Sequence, residues 1–147
     1  MISRLQPQLL SAALRHLRDS EHLASEAGGF SLDQAYHLAG FAPECARKAT
    51  IPRSTFHRAI GHGFGASSEV ALEAALALDP VARRYRLTGW ASDFPTLAGW
   101  SEQARYEPTG TRKPEEVASL LDESRRIVGR IAATLWADGM IPGDFKW

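Results

Sequence analysis

The chain has 147 residues and a mass of 16.1 kDa, with 44% hydrophobic and 23% charged residues. That composition is one of a single folded domain able to bury its own core, and it excludes a disordered chain. Seventeen basic residues balance 17 acidic ones, which excludes a general counterion-driven grip on DNA. The single cysteine, Cys45, cannot close an intramolecular disulfide. With no Cys/His cluster at zinc-ligand spacing, the sequence implies no metal and fits a reducing compartment.

At the start of the chain, charges at Arg15, Arg18 and Asp19 arrive before a signal-length apolar core can form, and no run of about 18 apolar residues follows. The expectation is no membrane segment and a cytoplasmic location. Charge is unevenly spread: residues 45–113 hold 10 basic and 6 acidic side chains, a net of +4 against −2 on each flank. A polyanion would meet the middle of the chain; the alternative is ordinary surface imbalance.

From about Pro7 to Ala27, Leu10, Ala13, Leu14, Leu17 and Ala24 recur at the spacing of one helix face. Gly28 and Gly29 end that helix. Ser31 followed by Gln34 matches a capping box, so a second helix is predicted there, with Ala35, Leu38, Ala39, Ala42 and Cys45 as its buried stripe. Pro43 should kink or restart it, because its ring lacks a donor and crowds the preceding turn. Pro52 and three glycines, Gly61, Gly63 and Gly65, mark a turn-rich connection enclosing a short helical piece over Ser54 to Ile60. Ser67 or Ser68 caps a helix over Glu69 to Leu78, and Asp79 with Pro80 starts another, to Leu87.

The following stretch is rich in Gly, Pro, Ser and Thr, yet carries Trp90, Phe94, Trp100 and Tyr106. It reads as an ordered loop pinned by aromatics. Pro114, Glu115 and Glu116 open the last long helix. Val117, Leu120, Leu121, Ile127, Val128, Ile131 and Leu135 form its apolar stripe, and Gly139 closes it. With no alternating β-branched run and no repeat, the predicted fold is an all-α up-and-down bundle of four to six helices, one domain over residues 1–147, with an aromatic-rich loop before the last helix.

The run YHLAGFAPECARKA, then IGHGF, LDPVARRYRL and WSEQARYEP, then a long final helix, resembles the HEPN superfamily of bacterial helical domains over about Leu9 to Gly139. Its most specific parts are the second-helix pattern A-x-H-x-A-G-F-x-x-E-C-x-x-K and the IGH turn. The resemblance implies a bundle that commonly dimerises. Its members act as RNA-cleaving toxins, defence effectors, or non-catalytic partners of nucleotidyltransferases. In the ribonuclease members an Arg, four to six residues and a His lie near the last long helix, where histidine acts as general acid or base without metal. This chain departs from that pattern: no histidine follows His62, and Arg15 and His22 on the first helix form the one Arg/His pair with that separation.

The chemistry-bearing candidates each have a structural alternative. Glu44 and Lys48, one turn apart in an apolar helix, are either a rim ion pair, a buried pair orienting the bundle, or a ligand site with Lys48 on phosphate. His62 between glycines either caps a terminus or lines a site, and His37 packs between helices or acts as a base. Arg83 and Arg84 near Tyr85 and Trp90, and Arg105 with Tyr106 near Trp100, join charge to stacking faces as single-stranded nucleic-acid sites do. Solvated or loop-pinning arginines are the alternative. Cys45, on the apolar stripe, reads as a core residue. No phosphate-binding, dinucleotide or HExxH motif is present, so no cofactor is expected.

The expected function is a homodimeric HEPN-like bundle that binds nucleotide, RNA or a partner protein in a toxin–antitoxin or defence setting, without its own catalytic centre. The binding residues would be Glu44, Lys48, Arg83, Arg84, Arg105 and Tyr106. The alternatives are a metal-independent endoribonuclease with an atypical site drawn from Arg15, His22 and His62, and a structural adaptor.

Overall fold

The computed structural model describes residues 7–147; the first six residues of the leader reading lie outside them. All regular structure in the described residues is helical, in the order α1 (Pro7–Ala24), α2 (Leu32–Ala49), α3 (Ser54–Ile60), α4 (Ala66–Leu78), α5 (Trp90–Asp93), α6 (Pro95–Ala98) and α7 (Pro114–Ala137), with 3₁₀ turns at Glu26–Gly28, Pro80–Tyr85 and Glu102–Tyr106. No described helix is long and apolar enough to cross a membrane.

Three long helices make the main body. α1 and α2 are antiparallel, since Ser20 meets Ala35 and His16 meets Phe41. α7 runs parallel to α2, with Arg112, just before the helix, over Tyr36, Ser124 at Ala39, and Leu135 beside Ala49. The segment between α2 and α7 is therefore a crossover, and the up-and-down relation holds for α1 against each of the other two.

α2 sits in the middle. Ala35, Ala39, Ala42, Ala46 and Ala49 are almost completely buried, and such small side chains let neighbouring helices come close. Burial extends beyond that stripe to Tyr36, His37, Gly40, Glu44, Arg47 and Lys48, while the predicted stripe members Leu38 and Cys45 are only half-buried. Gly40 is required by close approach: a Cβ there would stand 2.0 Å from the Trp100 ring.

Pro43 neither breaks nor restarts α2, which is continuous from Leu32 to Ala49. Proline removes the N–H that would bond the carbonyl four residues earlier. That carbonyl belongs to Ala39, and the buried Ser124 Oγ of α7 donates to it at 2.7 Å. A neighbouring helix thus supplies the donor that proline lacks. The Ser31 and Gln34 capping box does not form, because Ser31 makes no side-chain cap bond. The first-turn carboxylate of Asp33 faces another segment instead, accepting from the backbone N–H of Gly110 at 2.7 Å and Arg112 at 2.9 Å. These bonds hold the Asp33 carboxyl below its usual range.

The crossover carries a second small core of Ile51, Ile60, Leu72, Leu76 and Ala82. The helix predicted from Val81 is a 3₁₀ turn, and the Asp79 side chain, rather than capping it, pairs with Arg53 at 3.4 Å. The aromatic-rich loop contains two single-turn helices. Trp90, Phe94 and Trp100 are buried in the main core, but Tyr106 is 70% exposed and pins nothing. α6 is capped from outside, with the buried Glu123 of α7 accepting from the N–H groups of Thr96 (3.0 Å) and Leu97 (2.7 Å).

Candidate functional site

The polar residues of α2 that stood out in the sequence converge beneath the glycine-rich 61–65 turn. Glu44 is 3% exposed. Its Oε1 accepts from Lys48 Nζ at 2.8 Å and is 2.7 Å from His62 Nδ1, and its Oε2 accepts from the Gly63 N–H at 3.4 Å. The pair is therefore interior rather than rim, and each charge has the partner that burial demands. Gly63 adopts φ +90°, a backbone region open to glycine, which brings its N–H against the carboxylate.

One turn position away on α2, Arg47 does the complementary job. It is 5% exposed, donates from Nη2 to the Gly63 carbonyl at 2.9 Å, pairs with Glu69 at 3.5 Å and stacks over Phe64 at 4.4 Å. Burial lowers its pKa, though guanidinium stays charged throughout the accessible range. Glu69 also meets Arg86, which pairs in turn with Glu73. The 61–65 turn is thus gripped through both its N–H and its carbonyl by consecutive parts of one helix.

Above this network the turn presents His62, whose side chain is 51% exposed. With Nδ1 committed to Glu44, Nε2 is the nitrogen left for a ligand. His62 lies edge-on to Phe41 at 5.7 Å between ring centroids. Phe41 also meets His37 (4.8 Å), Trp100 (5.0 Å) and His16 (6.1 Å). The result is an aromatic shelf in which His62, Phe41 and His16 reach the surface while His37 and Trp100 support them from below.

The surroundings of the shelf disfavour the charged form of two of its imidazoles. Burial lowers the pKa of His16, helped by Arg15, and burial lowers that of His37, helped by Arg105 and His16. Arg15 and Arg105 are themselves exposed, so the shelf has two solvent-facing cations within electrostatic reach. Cys45 stays clear of this chemistry: burial first, then Glu44, pushes its thiol up to about 11.

The remaining sequence candidates are dispersed. Arg84 forms a two-point ion pair with Asp138, at 2.5 and 2.7 Å, and Tyr85 donates to the same carboxylate at 2.9 Å; together they latch the 3₁₀ turn to the end of α7. Arg83 is exposed beside it. Arg105 stacks over Tyr106 at 4.8 Å, both exposed. His22 is exposed near the end of α1, two turns beyond Arg15, and is not among the residues described in the Glu44 cluster or the shelf.

Six of the middle segment's basic residues, Arg47, Lys48, Arg53, Arg84, Arg86 and Arg112, are in ion pairs. Of the exposed remainder, Arg58, Arg83, Arg105 and Lys113, Arg105 is the one that acts electrostatically on the shelf.

Sequence reasoning missed Arg47 and His16. Arg47 looked like one more arginine at a helix end, and nothing local marks its burial. His16, His37 and His62 lie on three separate elements, so their meeting at Phe41 has no sequence signature. Among the described residues, no group of three or more His, Cys, Asp or Glu is placed to hold a metal ion. No protein-family model matches the chain, and neither a curated protein nor a solved structure does.

Proposed function

We propose that the chain is a HEPN-like helical domain that binds a nucleotide or single-stranded RNA on the His62, Phe41 and His16 shelf. In this reading it has no catalytic centre of its own and serves a toxin–antitoxin or defence system, with a nucleotidyltransferase as its protein partner. The observation that carries the binding reading is the shelf itself. Aromatic and imidazole faces accept any base by stacking, and adjacent guanidinium groups attract the phosphate that follows. Arg105 and Arg15 are the phosphate contacts, and His62 Nε2, whose partner nitrogen donates to Glu44, adds an acceptor. Lys48 is spoken for by Glu44 and acts by fixing that carboxylate.

The test is fluorescence anisotropy with a labelled oligouridine, and competition by ATP, across a salt series. Salt-weakened binding that falls at least tenfold in Arg105→Ala and in His62→Ala supports the reading. Arg84→Ala should leave affinity unchanged, because its guanidinium is engaged with Asp138. No salt-sensitive signal, or one indifferent to Arg105→Ala, rejects binding at the shelf and favours a structural adaptor.

One observation favours a second reading, metal-independent RNA cleavage. A buried carboxylate on one imidazole nitrogen with the other facing solvent is an arrangement suited to proton transfer. Incubating total RNA with the protein and EDTA tests it: RNA left intact at high protein concentration rejects cleavage, and cleavage abolished in His62→Ala and in Glu44→Gln supports it. Arg15 and His22 have no share in that arrangement.

A further inference from the structure

Where the second small core of the crossover meets α2 and α7 lies a partly enclosed cavity of about 10 Å³, measured as the space open to the centre of a water-sized particle. A cavity needs roughly 10–15 Å³ on that measure to hold one such particle. Leu72, Leu76 and Ile131 supply apolar wall, and Arg47, Arg86 and Trp90 supply its nitrogen donors. Each of these three brings a buried N–H with no acceptor among the described residues: Nε of Arg47, Nε of Arg86 and Nε1 of Trp90. Buried donors in folded proteins are nearly always paired, so three at one cavity call for an acceptor there.

The contacts around the cavity hold the three donor groups close together. Both guanidinium groups reach the same carboxylate, Arg47 Nη1 at Oε1 of Glu69 and Arg86 Nη2 at Oε2, each at 3.5 Å. The Arg47 guanidinium carbon lies 5.9 Å from the Trp90 ring centre. The terminal nitrogens are spent, since Arg47 Nη2 donates to the Gly63 carbonyl and Arg86 Nη1 pairs with Glu73. Only the Nε edge of each group is left. Arg47 is 5% exposed and Trp90 7%, so neither reaches bulk water without unpacking.

The lining decides what kind of acceptor fits. It includes no carboxylate, and its two hydroxyls send their protons elsewhere, Thr50 to the Arg47 carbonyl at 2.7 Å and Tyr85 to Asp138 at 2.9 Å. A water oxygen has two lone pairs, so it leaves the third N–H bare. A monatomic anion accepts from all three and meets two fixed positive charges. Sulfate and phosphate are too large for this volume, and fluoride, the most strongly hydrated halide, gives up the most water to enter among leucine and isoleucine side chains. Chloride and bromide satisfy both limits.

We propose that this cavity is a halide site, in which one chloride or bromide ion accepts from Arg47 Nε, Arg86 Nε and Trp90 Nε1. The ion braces Arg47, whose other nitrogens hold Glu69 and the 61–65 turn. The site is separate from the His62, Phe41 and His16 shelf and does not depend on the ligand proposed there.

The test uses the whole chain, unfolded by urea in sodium bromide and in sodium fluoride at constant total salt. A bound halide lowers the unfolding constant by the factor 1 + [halide]/Kd, about elevenfold at ten times Kd, so the parent should be more stable in bromide. The general effect of anions runs the other way, because the more strongly hydrated ion is the one excluded from protein surfaces. Trp90→Phe keeps an aromatic ring in place and deletes the indole N–H, and should raise the bromide Kd about tenfold. Crystals of the parent grown in bromide should show an anomalous scattering peak in the cavity, within hydrogen-bond reach of all three nitrogens, a readout that needs no variant. The proposal is overturned if fluoride stabilises the parent as much as bromide does, if a folded Trp90→Phe chain keeps the parent's bromide dependence, or if bromide peaks lie on the surface alone while the cavity holds a water.

Discussion

Removing the Glu44 carboxylate tests the reading of the α2 network most directly. In Glu44→Ala, Lys48, 9% exposed, loses its counter-ion, the Gly63 N–H loses its acceptor, and the His62 ring loses its anchor. Breaking a buried ion pair from one side costs about 3–5 kcal/mol, chiefly through the uncompensated charge. The Lys48 side chain retains 11% exposure and can turn its ammonium partly toward water, which places the expected loss near the lower end, about 3 kcal/mol. For a chain of this size that is roughly 6–12 °C in melting temperature.

The double variant Glu44→Leu with Lys48→Met removes both charges and fills the volume with apolar atoms, so it should recover most of the loss. Urea titrations followed at 222 nm, with linear extrapolation to water, measure each variant. The double variant should nevertheless bind oligouridine as poorly as His62→Ala, because its imidazole is unanchored. A single variant costing less than about 1 kcal/mol, or a double variant no more stable than the single, refutes the argument that an unpaired interior charge is the cost.

Two other perturbations have definite signs. Ser124→Ala strips the Ala39 carbonyl of its donor and should cost about 1–3 kcal/mol. Adding Pro43→Ala restores a backbone N–H four residues after Ala39, so it should stabilise the Ser124→Ala background more than it does the parent. Equal effects of Pro43→Ala in both backgrounds, by chemical denaturation, remove the compensation. His37 has a folded pKa below its ordinary 6.5, from burial and then Arg105, so the unfolded chain takes up its proton first. Its contribution is fully present above pH 6.5 and lost as pH falls through the lower folded value. Melting temperatures between pH 7.5 and 5 should therefore fall less steeply in His37→Leu than in the parent, and parallel slopes contradict it.

Much of the helical order was legible in the sequence. The last helix is the clearest case: Pro114 and the two glutamates open it, all seven predicted stripe residues are buried, and Gly139 lies just past its end in the left-handed region. Local signals failed where tertiary contacts replaced them. Ser31 has the residue type of a cap but makes none, while Asp33 spends its carboxylate on the 110–112 turn. Pro43 has the residue type of a break, and Ser124 makes it harmless.

The same division holds for the site. Glu44 and Lys48 were visible because two charges one turn apart in an alanine-rich helix violate its pattern, and that anomaly survives as a buried network. That His62 closes the network, that Arg47 grips the turn from its other side, and that His16 and His37 join His62 around Phe41 depended on which helices meet. Composition, periodicity and helix-start signals act within a few residues, and they determined an all-helical chain and its one anomalous pair. The shelf joins residues as far apart in the chain as His16 and Trp100, brought together by packing alone, so only the tertiary structure decided it.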